Sequence, residues 1–310
     1  MNVARKLTYI VPLLIIVAGI LVTPSYGKWV WNKEMGWIEP PAEEITTQEQ
    51  RYRYAVSLLV EQKYMTAIKE FEAIIKSDPD SEYAEVSQIN IGRAHFLNGN
   101  YKRALKAYDK VLQKYPGTRR VPEILESKFQ LGIAQMEKNK RAAINIFEKI
   151  IAKHPLGPLA ADANIKIADS YFELGRYEEA LDTYERFLEN YPRSEWVPYV
   201  LFRIPISKLS HERRQERNTG LLASAQEDLE VYLASYPYGV YAEDAKRMIE
   251  EIRIMKAERE FRIGEFYLRV KKPISAAMYF EFVKNDFPGT VWEEKASDRL
   301  RFLRMIGAIK

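Results

Sequence analysis

The chain contains no cysteine. That excludes disulfides, thiolate nucleophiles and cysteine-ligated zinc, and it excludes a lipid carried on a cysteine thiol. Glycine and proline are sparse in 310 residues, at 14 and 15, which argues against a disordered or loop-built protein. The three histidines, His95, His154 and His211, stand at no metal-ligand spacing from one another or from a paired carboxylate. No Gly-x-Ser-x-Gly elbow, P-loop or dinucleotide glycine motif occurs. An excess of one charge is missing too. The 47 basic residues face 43 acidic ones, a net of +4, too balanced for a nucleic-acid binder. Neither an enzyme nor a cofactor protein is expected; a protein-binding scaffold is.

What is present can bury a core: 47% of residues are hydrophobic and 29% charged. At the N-terminus, Arg5 and Lys6 precede an apolar run from Leu7 to Val22, followed by Ser25, Tyr26 and Gly27. This is the layout of a secretory signal peptide over 1–27, cut after Gly27. The run of about 16 residues falls short of the about 20 of a spanning helix, and uncleaved it would be an anchor. Residues 28–45 form an arm rich in tryptophan, with Trp29, Trp31 and Trp37. Its alternating pattern suits a short strand or an extended segment. It is expected to fold back over the open apolar end of the first repeat, with docking to envelope material as the alternative.

From Thr46 onward the pattern is helical. The stretch from Asp162 to Arg193 shows the unit. Ile165, Ala168, Phe172 and Leu174 make one apolar stripe, Gly175 breaks the helix, and Tyr177, Ala180, Leu181, Tyr184 and Leu188 make a second, stopped by Pro192. Pro79, Pro116, Pro155, Pro192, Pro237 and Pro288 close successive units at spacings of 37, 39, 37, 45 and 51. Small residues recur twelve apart where two helices must approach: Ala55 and Ala67, Gly92 and Ala104, Ala168 and Ala180, Gly264 and Ala276. The third unit has Gly132 and Ala143, eleven apart, so its turn is one residue shorter. In the fifth, Pro205 takes the small-residue slot and Ala225 lies twenty on. The polar insertion Ser210–Asn218 reads as a surface loop. The thirty residues from Tyr241 to Val270 hold no strong breaker and read as one long helix or two coaxial ones.

These offsets resemble the tetratricopeptide repeat (TPR). The resemblance implies an all-α solenoid of about six helix-turn-helix repeats with a C-terminal capping helix over 292–305. Each pair buries its stripe only against its neighbours. Aligned on the small residue, one position of the first helices carries Tyr52, Ile89, Phe129, Ile165, Phe202 and Phe261. Seven residues later come Leu59, Phe96, Met136, Phe172, Leu209 and Leu268. Both ladders are apolar throughout. They are either a hydrophobic groove for a partner segment or packing between repeats. Asp162, Asp169 and Glu173 share one helix face, a receiver for a basic segment or a solvated face.

From about Ile133 to Leu300 the chain resembles the BamD family of outer-membrane assembly factors. The carrying residues are Tyr191-Pro192-Arg193-Ser194, Tyr199 to Arg203, the fifth-unit insertion, Tyr232 to Pro237, Ala257 to Phe261, Gly264 to Arg269 and Asp286 to Thr290. The resemblance divides the chain into two N-terminal repeats over 46–119 and a BamD-like region over 120–306 with its long helix at 241–270. It implies a non-catalytic periplasmic scaffold at the inner face of the outer membrane, peripherally associated with it. The implied partners are a BamA-like barrel subunit and unfolded outer-membrane proteins. The missing cysteine and the two extra repeats depart from the family. They leave room for the alternative, a soluble YbgF-like adaptor for cell-wall or division machinery.

Overall fold

A computed structural model describes residues 30–32, 36–38, 47–215 and 220–309. The expected signal peptide lies outside these residues, as do most of the tryptophan arm and the end of the insertion. Within the arm, β1 (Val30–Asn32) and β2 (Gly36–Ile38) form an antiparallel ribbon with Trp31 opposite Trp37. All other described elements are helices. The chain divides into two compact units, Met1–Thr118 and Arg119–Lys310.

The first unit holds α1 (Gln48–Val60), α2 (Tyr64–Ser77), α3 (Glu82–Leu97) and α4 (Tyr101–Lys114). Thr47 starts α1 with a capping box, its hydroxyl accepting from Gln50 N at 3.1 Å while the Gln50 side chain accepts from Thr47 N at 3.0 Å. Ala55, Leu58, Ala67, Phe71 and Ile74 form the centre of its core. Gly92 shows why a small residue recurs. A Cβ there would lie 2.5 Å from the Tyr108 ring, inside van der Waals contact.

The second unit runs α5 (Val121–Lys138), α6 (Lys140–Lys153), α7 (Ala160–Glu173), α8 (Tyr177–Asn190), α9 (Val197–Gln215), α10 (Leu221–Ser235), α11 (Ala242–Arg269), α12 (Pro273–Asp286) and α13 (Val291–Met305). The same close approach recurs. A Cβ at Gly132 or Gly264 would lie 2.6 Å from the ring of Phe147 or Phe280. The short third turn is a single residue. Asn139 ends α5 and caps α6, its side chain accepting from Ala142 N at 3.1 Å. The tyrosine before a closing proline reaches back one repeat. Tyr115 donates to the Pro79 carbonyl at 3.0 Å in the first unit, and Tyr191 to the Pro155 carbonyl at 3.2 Å in the second. Pro79 and Pro155 lie in the turns after α2 and α6, so each tyrosine ties the end of its repeat to the turn that closes the one before, and Lys114 Nζ also donates to the Pro79 carbonyl at 3.3 Å.

One expectation fails. Ser210–Gln215 is not loop but the last turns of α9, and Glu212 within it is buried. The reason is local. From Ile206 to Gln215 there is no glycine or further proline, so polarity alone does not end the helix there. Pro205 sits inside α9, where it removes one backbone donor without ending the helix.

Candidate functional site

Each anticipated groove residue can now be placed. On the first ladder Phe129, Ile165, Phe202 and Phe261 are buried. Phe129 packs on Phe147 at 5.3 Å, and Phe202 stacks on Tyr241 at 4.6 Å and 7°. Phe261 lies between Phe280 and Trp292 at 5.2 and 5.3 Å, while Ile165 is fully enclosed beside Ala168 and Tyr184. Tyr52 is half-buried against Phe71 and accepts a hydrogen bond from Asn90 at 2.9 Å. These side chains hold the repeats together, and a buried ring offers no surface to a partner. A 3.6-residue stripe does not say whether solvent or the next repeat covers it. On the second ladder Phe96 and Leu268 remain half-exposed, Phe96 beside Tyr101 and Leu268 at the margin of the last core cluster.

The acidic trio is not one open face. Asp162 accepts from the Trp196 indole at 2.6 Å, and Glu173 pairs with Lys140 at 3.3 Å. Asp169 is largely enclosed. It accepts from the hydroxyls of Tyr184 at 2.5 Å and Tyr199 at 2.6 Å, with Arg203 at 3.7 Å. Arg203 also donates to the Tyr184 hydroxyl at 3.0 Å and lies 4.0 Å above the Phe172 ring. The network ties α7, α8 and α9 across two repeats. Burial pushes the Tyr184 and Tyr199 hydroxyls far above the ordinary phenol value, and the Asp169 charge adds to it. Burial alone would lower Arg203; Tyr184, Tyr199 and Asp169 outweigh it and hold the guanidinium above its ordinary value. The network joins three helices through largely buried polar groups that satisfy one another. No cluster among the described residues could hold a metal ion.

Sequence reasoning missed the surface that does face outward. On α12, Ile274, Met278 and Phe282 are 70, 67 and 45% exposed, four residues apart along one face. Aligned on the small residue, α8 carries exposed Glu178, Asp182 and Arg186 there, and α6 carries Arg141, Asn145 and Lys149. The signal was readable: α12 also turns Ala276, Phe280 and Val283 inward, so it is apolar on two faces.

The model of the family described as outer membrane lipoprotein, YfiO, matches residues 45–142 and 126–302. The chain belongs to the YfiO family. YfiO-family relatives named outer membrane protein assembly factor BamD include one from Xylella fastidiosa strain 9a5c. It is 26% identical over 172 residues, covering 52% of this chain and 59% of that protein. One from Rickettsia prowazekii is 29% identical over 173 residues, covering 54% and 68%. The match thus spans about three-fifths of the Xylella protein's length. Among solved structures, a TPR repeat-containing protein from Cytophaga hutchinsonii is 17% identical and covers 84% of this chain and 90% of that one, with a TM-score of 0.44. Unlike the lipoproteins for which the YfiO family is described, this chain has no cysteine. No helix among the described residues is long and apolar enough to cross a membrane.

Proposed function

We propose that the chain is a non-catalytic scaffold at the periplasmic face of the outer membrane, holding protein partners during outer-membrane protein assembly. The observation that carries the reading is the exposed apolar face of α12 in a chain of the YfiO family, whose BamD relatives are named assembly factors. Monomeric proteins rarely leave a contiguous apolar face in water, and such faces mark interaction sites. Met278 and Phe282 are the contacts for a folded partner, a BamA-like barrel subunit; unfolded outer-membrane proteins are the clients. The missing cysteine favours one second reading, a soluble periplasmic adaptor for cell-wall or division machinery.

Photo-crosslinking separates them. A crosslinker at Met278 in intact envelopes is expected to capture the barrel-assembly subunit, while one at Asp182 on α8 captures little. Wall or division proteins at Met278 would establish the second reading. Equal yields at both positions would remove this face from consideration.

A further inference from the structure

Between Phe266 and Phe280, and again from Arg299 to Lys310, the chain carries no Asp or Glu. These two segments meet at one end of the last repeat. Arg299 on α13 pairs with Glu265 on α11 at 2.6 Å, and Leu268, Ala308 and Ile309 pack against one core cluster, so the end of α13 lies at the end of α11. The turn from α11 into α12 brings Val270, Lys271 and Lys272 to the same end. Val270, Met305 and Ile306 are 45, 77 and 55% exposed. Arg269, Lys271 and Lys272 are exposed and have no ion-pair partner among the described residues. Arg301 and Arg304 do, pairing with Asp298 and Glu281.

Lys271 has an unusual backbone. Its φ is +59°; in the same turn of other repeats Gln62 has +60°, Gly99 +74° and Gly175 +71°. A Cβ makes that conformation costly, so Lys271, like Gln62, stands at a position that favours glycine.

We propose that this end of the last repeat docks on an anionic phospholipid surface. Val270, Met305 and Ile306 enter the headgroup boundary, and Arg269, Lys271 and Lys272 meet the lipid phosphates. Apolar tips beside three unpaired cations, with the neighbouring Glu265 and Glu281 each already paired to an arginine, are the pattern of an interfacial anchor. A protein interface core instead excludes lysine. The inference does not rest on the assembly reading. Its test contains lipid and no partner, so each can fail alone.

The absence of cysteine makes the experiment simple. Full-length protein carrying Met305→Cys, labelled with an environment-sensitive fluorophore, is mixed with vesicles of equal parts phosphatidylglycerol and phosphatidylethanolamine. Asp182→Cys on α8 is the control. The fluorophore at 305 is expected to shift to the blue and to be quenched by lipid-borne nitroxides, with neither effect at 182. Each lysine removed, as Lys271→Gly or Lys272→Ala, should weaken vesicle binding about fivefold. Lys271→Gly should at the same time raise the thermal midpoint by relieving the turn. A fluorophore that stays in water while the protein is vesicle-bound would overturn the proposal. So would an equal signal on pure phosphatidylcholine, a signal that requires an added protein, or a raised midpoint with unchanged lipid affinity.

Discussion

Two second helices of one repeat family, α8 and α12, fold by the same rules and treat their outer faces oppositely. On α8, Asp182 and Arg186 pair with each other in solvent, and the buried Tyr184 joins Asp169, Tyr199 and Arg203. On α12 the inner face packs alike, with Phe280 against Gly264, yet the outer face presents Ile274, Met278 and Phe282. Repeat geometry constrains only the inward positions. The outer ones are free to differ, and that is where a scaffold is specialised.

The sharpest way to break the comparison is to attack the α8 side. Asp169→Ala removes the carboxylate beside Arg203, whose side chain is only 17% exposed, and leaves a largely buried cation unmatched. The expected loss is about 3 kcal/mol, read as a lower urea midpoint with an unchanged slope. Asp169→Asn, which keeps an acceptor for the tyrosines, should lose less. Next is the feature both helices share. Gly264→Ala places a methyl 2.6 Å from the Phe280 ring and is expected to cost about 2 kcal/mol by thermal or urea unfolding. An unchanged midpoint would mean that the close approach is not required.

Giving α12 the outer face of α8, through Met278→Asp with Phe282→Arg, should cost no more than about 1 kcal/mol, since Met278 is exposed and Phe282 gives up an edge contact with Phe287 at 5.8 Å. Partner capture from solubilised envelopes should be abolished by the same pair. Capture that survives would place the partner elsewhere.

The smallest effect belongs to the first unit. Burial, and then Arg103, depress His95 below its ordinary value of 6.5, and its Nδ1 has no hydrogen-bond partner among the described residues. The unfolded chain therefore takes up the proton first as pH falls. The stability His95 contributes is complete above 6.5 and is lost as pH drops below it towards the folded value. Urea titrations of wild type and His95→Phe at a pH of about 7.5 and about 5.5 should show the wild type losing slightly more.

The fold was legible because close helix approach demands specific residues. Gly92 and Gly132 have rings directly over them, so the spacing of small residues carried the repeat register. The end of α9 was misread because its polar run contains good helix formers, and polarity is not a stop signal. The site was less legible. Ile165 and Phe202 belong to an apolar stripe that looks the same whether a neighbouring repeat or a partner covers it. Asp162 and Asp169 read as surface charge because their donors, Trp196 and Tyr199, lie 34 and 30 residues away. Only α12 could have been recognised in advance, by comparing its outer positions with those of α6 and α8.

The tyrosine that reaches back to a proline carbonyl fixes an order of events. Tyr115 and Tyr191 each lie 36 residues after the acceptor they satisfy. A chain emerging N-terminus first shows each repeat's closing carbonyl well before its donor exists. Every such repeat stays unlatched until the next one has arrived, so completion trails emergence by one full unit along the chain.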